Sequence, residues 1–154
     1  METSGSVLSK SDKVFEGMFA DQNVMKQSIS ARIRYYARKE KVSQPELAKA
    51  IGCSRDTVFS YMNNKTSESH MDINVLKKLA EYFEVDEYYF CNAYHIFVDS
   101  QNVPEILKEL RRKEGATQKA FADMLEISLA SYKNYEQGRI RLPERYWKKI
   151  CSLL

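Results

Sequence analysis

Residues 43–65 read SQPELAKAIGCSRDTVFSYMNNK, and residues 117–139 read TQKAFADMLEISLASYKNYEQGR. Each stretch holds two short helical stripes joined by a tight turn. In the first, Ser43 precedes Gln44-Pro45-Glu46. Proline suits the first turn of a helix, where the N–H it lacks would have no partner in any case. Leu47, Ala48 and Ile51 share one face, and Gly52, which tolerates positive φ, stops the helix. Ser54 is placed to cap the next helix, and Asp56 stands in its first turn, where the helix dipole favours an acid. Val58, Tyr61 and Met62 are its apolar face, and the pattern fades at Asn63-Asn64. In the second stretch Thr117-Gln118 opens a short helix over 118–125, Ser128 caps its successor, and Tyr132 and Tyr135 face inward.

The two stretches are in register. At an offset of 74 residues Gln44 matches Gln118, Ala48 matches Ala122, Ser54 matches Ser128, Val58 matches Tyr132 and Tyr61 matches Tyr135. Caps, small residues and core positions that align together mark an internal duplication. The flanks are helical as well. Ile29, Ile33, Tyr36 and Ala37 form a stripe within 25–40, and residues 73–83, 86–97 and 106–113 carry further helical patterns. Pro143 opens a last helix with Tyr146, Trp147, Ile150 and Leu153. With 5 glycines, 3 prolines and almost no strand-like alternation, the chain is read as all-α, two small helical domains in tandem. The expected division is a polar segment over 1–23, partly helical or flexible, a first domain over 24–98 and a second over 99–154.

Charge follows this division. Residues 24–65 carry a net +6 and residues 102–154 a net +4, whereas residues 66–101 carry −5 and residues 1–23 carry −2. Two basic blocks split by an acidic one suggest two surfaces that face a polyanion. At 44% hydrophobic and 29% charged residues the composition is that of a globular chain rather than a disordered one. No apolar run approaches the roughly 20 residues of a membrane span, and the polar start is not read as a secretory leader. Cys53, Cys91 and Cys151 are odd in number and lie in apolar-patterned segments, which reads as three buried thiols in a reducing cytoplasm. Cys91 and His95 could share a helix face, but two ligands make a poor metal site. With no nucleophile–base pair, metal cluster or glycine-rich phosphate loop, the reading is of a protein that is not an enzyme and takes no cofactor or metal.

The aromatic run Tyr82, Phe83, Tyr88, Tyr89, Phe90, Tyr94 and Phe97 admits two readings. It could stack single-stranded bases, or it could pack as core or protein interface. Its acidic setting would repel a phosphate backbone and favours packing over residues 72–98, within one chain or between two.

Helix, tight turn and capped second helix form a unit whose second helix can present its N-terminal end to the major groove while the first rests on the phosphates. Ala48 and Ala122 stand where the two helices must cross closely. On the two quoted stretches both halves resemble the Cro/cI-type (XRE) helix-turn-helix family, which implies a lambda-repressor-like fold and operator DNA binding, often as dimers. The resemblance spans roughly residues 29–90 and 106–153. It places base-reading positions on Arg55, Asp56, Phe59 and Ser60 in the first half and on Leu129, Ala130, Lys133 and Asn134 in the second. It places backbone contacts on Ser43, Gln44 and Asn63, and on Thr117, Gln118 and Gln137. Ser54, Thr57 and Lys65 complete the expected DNA-binding set. It also implies a partly buried pair between Arg111 and Glu136, for which the first half has Ala37 and Met62. A buried pair lost as a unit is replaced by apolar residues on both sides.

Two functions follow as expectations. The first is a double-stranded-DNA-binding transcriptional regulator, a repressor of phage or mobile-element type, cytoplasmic and nucleoid-associated in a bacterium. The second is an antitoxin-like inhibitor in which one domain, or residues 72–98, binds a protein partner. A homodimer is compatible with both, and a membrane partner with neither. Leu129 and Ala130 offer few hydrogen bonds, so the first half is expected to be the better base reader.

Overall fold

The computed structural model describes residues 26–154, and no strand occurs among them. The polar segment expected over 1–23 lies outside the described residues. The helices are α1 (Ile29–Lys39), α2 (Gln44–Ile51), α3 (Arg55–Met62), α4 (Ile73–Phe83), α5 (Ala93–Ser100), α6 (Val103–Lys113), α7 (Gln118–Met124), α8 (Leu129–Glu136) and α9 (Glu144–Cys151), with a 3-10 turn at Glu68–His70. None of them is long and apolar enough to cross a membrane.

The caps explain where the helices begin. Ser43 accepts from the Glu46 amide while the Glu46 carboxylate accepts from the Ser43 amide, a complete capping box. Those hydrogen bonds hold the Glu46 carboxyl below its ordinary range. Ser54, Thr117 and Ser128 each accept from the amide three residues on, as an N-cap hydroxyl does. The bounds of α1 and α6, and those of α3 and α8, differ by 74 residues at both ends. The left-handed positions repeat too. Lys41, Gly52 and Asn64 have positive φ in the first half, and Gly115, Glu126 and Gly138 have it in the second. The closing hydrogen bonds match them: Val42 to Ala37, Cys53 to Ala48 and Lys65 to Ser60, against Ala116 to Arg111, Ile127 to Ala122 and Arg139 to Asn134.

The chain divides into two compact units, the first ending at Asn92 and the second spanning Ala93–Leu154. The helix read over 86–97 is therefore two things. Asp86 folds its carboxylate back to accept from the Tyr88 amide, and turns close from Tyr89 to Asp86 and from Cys91 to Tyr88. Helix α5 starts only at Ala93 and belongs with the second unit, so Cys91 and His95 do not share a helix. Aspartate competes with helix by bonding its own nearby amides, which the apolar periodicity alone does not register.

In the first unit Tyr36 is the centre of an aromatic cluster, with ring centroids 5.5 Å from Phe83, 5.3 Å from Tyr89 and 6.0 Å from Phe90. Phe83, Tyr89, Phe90 and Tyr94 are buried, so these rings cannot offer a stacking platform; Tyr82 is exposed. Arg32 is buried beneath the 86–92 turns, donating to the carbonyls of Tyr89 at 2.8 Å and Cys91 at 3.3 Å and, through Nε, to that of Gln27 at 3.1 Å. Burial lowers the pKa of its guanidinium, against the opposing field of Glu68. The core of the second unit is Leu107, Leu110, Phe121, Ala122, Leu125, Ile127, Tyr132, Leu142 and Ile150, with Trp147 packed against it. There the Tyr94 hydroxyl donates to the Leu142 carbonyl at 2.5 Å, and its ring lies 5.6 Å from that of Trp147. Only one of the three thiols is buried, Cys91; Cys53 is half-buried and Cys151 is exposed near the end of α9.

Candidate nucleic-acid interface

Each unit carries a two-helix hairpin whose second helix starts from a capped serine. In the first unit, α2 and α3 meet at Gly52, whose φ is 73°. Ala48 and Val58 are buried at the crossing side. What remains outward on α3 is Arg55, Asp56 and Phe59, all exposed, with Thr57, Ser60 and Asn63 half-buried. Thr57 is tied to the cap by a 2.9 Å contact between its hydroxyl and that of Ser54. Asn63 donates its side-chain amide to the Phe59 carbonyl at 2.8 Å and thereby closes α3. Ser43 and Lys65 are exposed and Gln44 is half-buried beside the capping box.

In the second unit Leu129 is half-buried and Ala130 is exposed at the head of α8. Lys133 and Gln137 are exposed further along and Asn134 is half-buried. Thr117 is exposed and capping. Gln118 is turned inward, donating to the Glu136 carboxylate at 3.2 Å. That carboxylate is the hub of the unit. Arg111 reaches it with Nε and Nη2, both at 3.0 Å, in the forked geometry guanidinium favours. The Tyr132 hydroxyl donates to Oε2, the oxygen that also accepts from Arg111 Nε. Burial by itself would raise the pKa of Glu136, but the hydrogen bonds from Arg111, Tyr132 and Gln118 outweigh it and hold the carboxyl below its ordinary range. The same contact raises the Arg111 pKa.

The basic block of the first unit is partly structural. Arg32 is internal, and Arg34 donates to the Met62 carbonyl at the end of α3. The charges that remain outward include Arg38, Lys39, Lys41, Lys49, Arg55 and Lys65. In the second unit the segment after α8 exposes Arg139, Ile140 and Arg141. Arg139 occupies the place of Lys65, its amide bound to the Asn134 carbonyl at 2.9 Å. The reading of the sequence passed over Arg139, although the 74-residue offset applied to Lys65 points straight to it.

The arrangement can meet a duplex in the way helix-turn-helix units do. A capped helix end is free to approach base edges, with exposed cations behind it for phosphates. Comparison with protein families agrees with the geometry. Residues 33–90 match a model described as helix-turn-helix, and residues 105–154 match one described as helix-turn-helix domain. No curated protein and no solved structure matches the chain. Two matched segments, a repeated backbone and a repeated cap pattern lead to one conclusion: the chain belongs to the helix-turn-helix DNA-binding regulators, with two domains of the Cro/cI (XRE) type in tandem.

Proposed function

We propose that the protein is a sequence-specific repressor of transcription, of the phage or mobile-element type and cytoplasmic, in which the first unit reads base pairs and the second mainly grips phosphates. The observation that carries this is the difference at the heads of the two recognition helices. Helix α3 begins with exposed Arg55 and Asp56, whereas α8 begins with half-buried Leu129 and exposed Ala130. Arg55 can fork onto a guanine edge and Asp56 can accept from cytosine, while Leu129 and Ala130 can at best touch a methyl group. Lys133, Arg139 and Gln137 then supply point contacts to the backbone.

Selection of bound duplexes from a random pool, followed by titration at low and moderate salt, tests the reading. A recovered motif with a steep loss of affinity as salt rises supports it, since each neutralised phosphate releases counterions. Recovery of no motif, or binding indifferent to salt, overturns it. Homodimer formation belongs to the same proposal and is checked by sedimentation with and without the selected duplex.

A second reading has its own support. Met124 and Ile140 are 52% and 53% exposed on the second unit. Apolar side chains beside a recognition helix poor in hydrogen bonds suit a protein surface better than a phosphate backbone. In this antitoxin-like form the second unit binds and inhibits a protein while the first holds DNA. Weakening specific DNA binding with Arg55→Ala would then leave the protein complex intact.

A further inference from the structure

Phe59 is a large apolar side chain left exposed on the recognition helix of the first unit. Its neighbour Val58 is buried, yet Phe59 stands 48% exposed in the middle of α3. The helix geometry fixes where it lies. Taking α3 at 3.6 residues per turn, Arg55, Phe59, Asn63 and Asp56 fall within roughly 100° of arc, with Phe59 between Arg55 and Asn63. The backbone at that point is held firmly, because the Phe59 carbonyl accepts both the Asn63 amide at 3.0 Å and the Asn63 side chain at 2.8 Å. Any approach that seats Arg55 and Asp56 on base edges therefore also carries the phenyl ring into the groove.

A phenyl ring has no donor or acceptor. Pressed onto a base edge rich in polar atoms, it strips water from them and returns nothing. The major groove has one apolar feature, the C5-methyl group of thymine. We infer that Phe59 is a specificity-determining residue that reads a pyrimidine C5-methyl group beside the base contacted by Arg55, which makes binding sensitive to loss of that methyl. The inference rests on the base-reading role proposed for the first unit. The second unit has Lys133 at the matching position, so this particular contact is confined to the first unit.

The test uses the full chain and the duplex selected from the random pool. Each thymine of that duplex is replaced singly by deoxyuridine, which removes the methyl and leaves every hydrogen-bonding group in place. Wild type is expected to lose about three- to fivefold in affinity at one thymine of each half-site, the worth of one buried carbon group, and this is the loss that depends on residue 59. Phe59→Ala should bind the thymine and deoxyuridine duplexes equally, and Phe59→Leu should keep part of the difference. Because the ring is half exposed, both variants should melt close to wild type. A selected site at which no thymine-to-deoxyuridine change matters, or at which Phe59→Ala shows the same loss as wild type, overturns this inference and leaves the DNA-reading proposal standing. Failure of wild type to select any duplex overturns both.

Discussion

The two units solve the same packing problem in opposite ways. Where the second unit joins α6 to the end of α8 with Arg111 and Glu136, the first has Ala37 on α1 and Met62 on α3, both buried. The ionic version comes with a full set of donors, from Arg111, Tyr132 and Gln118. The apolar version loses all of these needs together, with Val58 in place of Tyr132. The lesson is that a buried carboxylate is held by its whole set of partners, so changing one member is worse than changing all. Gln118 is then an internal residue as much as a surface one. Gln44 has no carboxylate at the matching place, since Met62 stands there, and is the better candidate for a phosphate.

The largest effect should come from breaking that set. Glu136→Gln should destabilise the second unit by about 3 kcal/mol, since it leaves Arg111 without its counter-charge. Trp147 is the single tryptophan and lies in the second unit, so its fluorescence during denaturant unfolding reports that unit directly. The triple change Arg111→Ala, Tyr132→Val and Glu136→Met, which imports the first unit's solution, should cost less than Glu136→Gln alone. An equal or larger cost would mean that the two units are not interchangeable at this point.

Next in size is the difference between the recognition helices. Arg55→Ala should lower specific affinity by roughly 1–3 kcal/mol and relax preference at one base pair. Lys133→Ala should weaken selected and scrambled duplexes alike, as loss of a phosphate contact does. Binding of both variants to both duplexes decides it. A loss of discrimination confined to Lys133→Ala would reverse the roles of the units.

The same carboxylate gives a pH dependence. The folded pKa of Glu136 is depressed, so its contribution is present above the unfolded value of about 4.3 and is lost as pH falls through the folded value below it. Unfolding followed by Trp147 should therefore show the second unit weakening from about pH 4.5 downward, and this part of the slope should be missing in Glu136→Gln. A slope that survives the substitution would assign the acid sensitivity to other carboxylates.

The smallest effect concerns backbone. Gly52 and Glu126 occupy the same left-handed turn, with φ of 73° and 57°. Glu126 keeps an exposed ion pair with Lys149 at 3.3 Å, which contributes little. Glu126→Gly should stabilise the second unit by about 0.5–1 kcal/mol, and Gly52→Glu should cost the first unit a similar amount. Thermal melts of the two variants check the pair. The third turn shows why glycine is not simply exchangeable. A Cβ at Gly138 would come within 3.2 Å of the Pro104 ring. The first unit has Ser30 at the place of Pro104 and accommodates Asn64 at the place of Gly138.

The sequence alone determined the parts whose causes are local. Caps act over three residues, apolar stripes over one or two turns, and the 74-residue offset compares like with like. For that reason α2, α3, α4 and α8, the caps Ser54 and Ser128 and the duplication were legible, as was the pairing of Arg111 with Glu136 once the family resemblance was in hand. Tertiary structure decided what depends on partners far along the chain. It placed Arg32 inside, under carbonyls 57 and 59 residues away, where a count of charges had put it on the DNA-facing side. It broke the helix expected over 86–97 and moved Ala93–Ser100 to the second unit. It turned Gln118 toward a carboxylate 18 residues on. Helical periodicity says which residues share a face. Only the packing of the other helices settles which face is covered, because burial depends on what the rest of the chain brings to it.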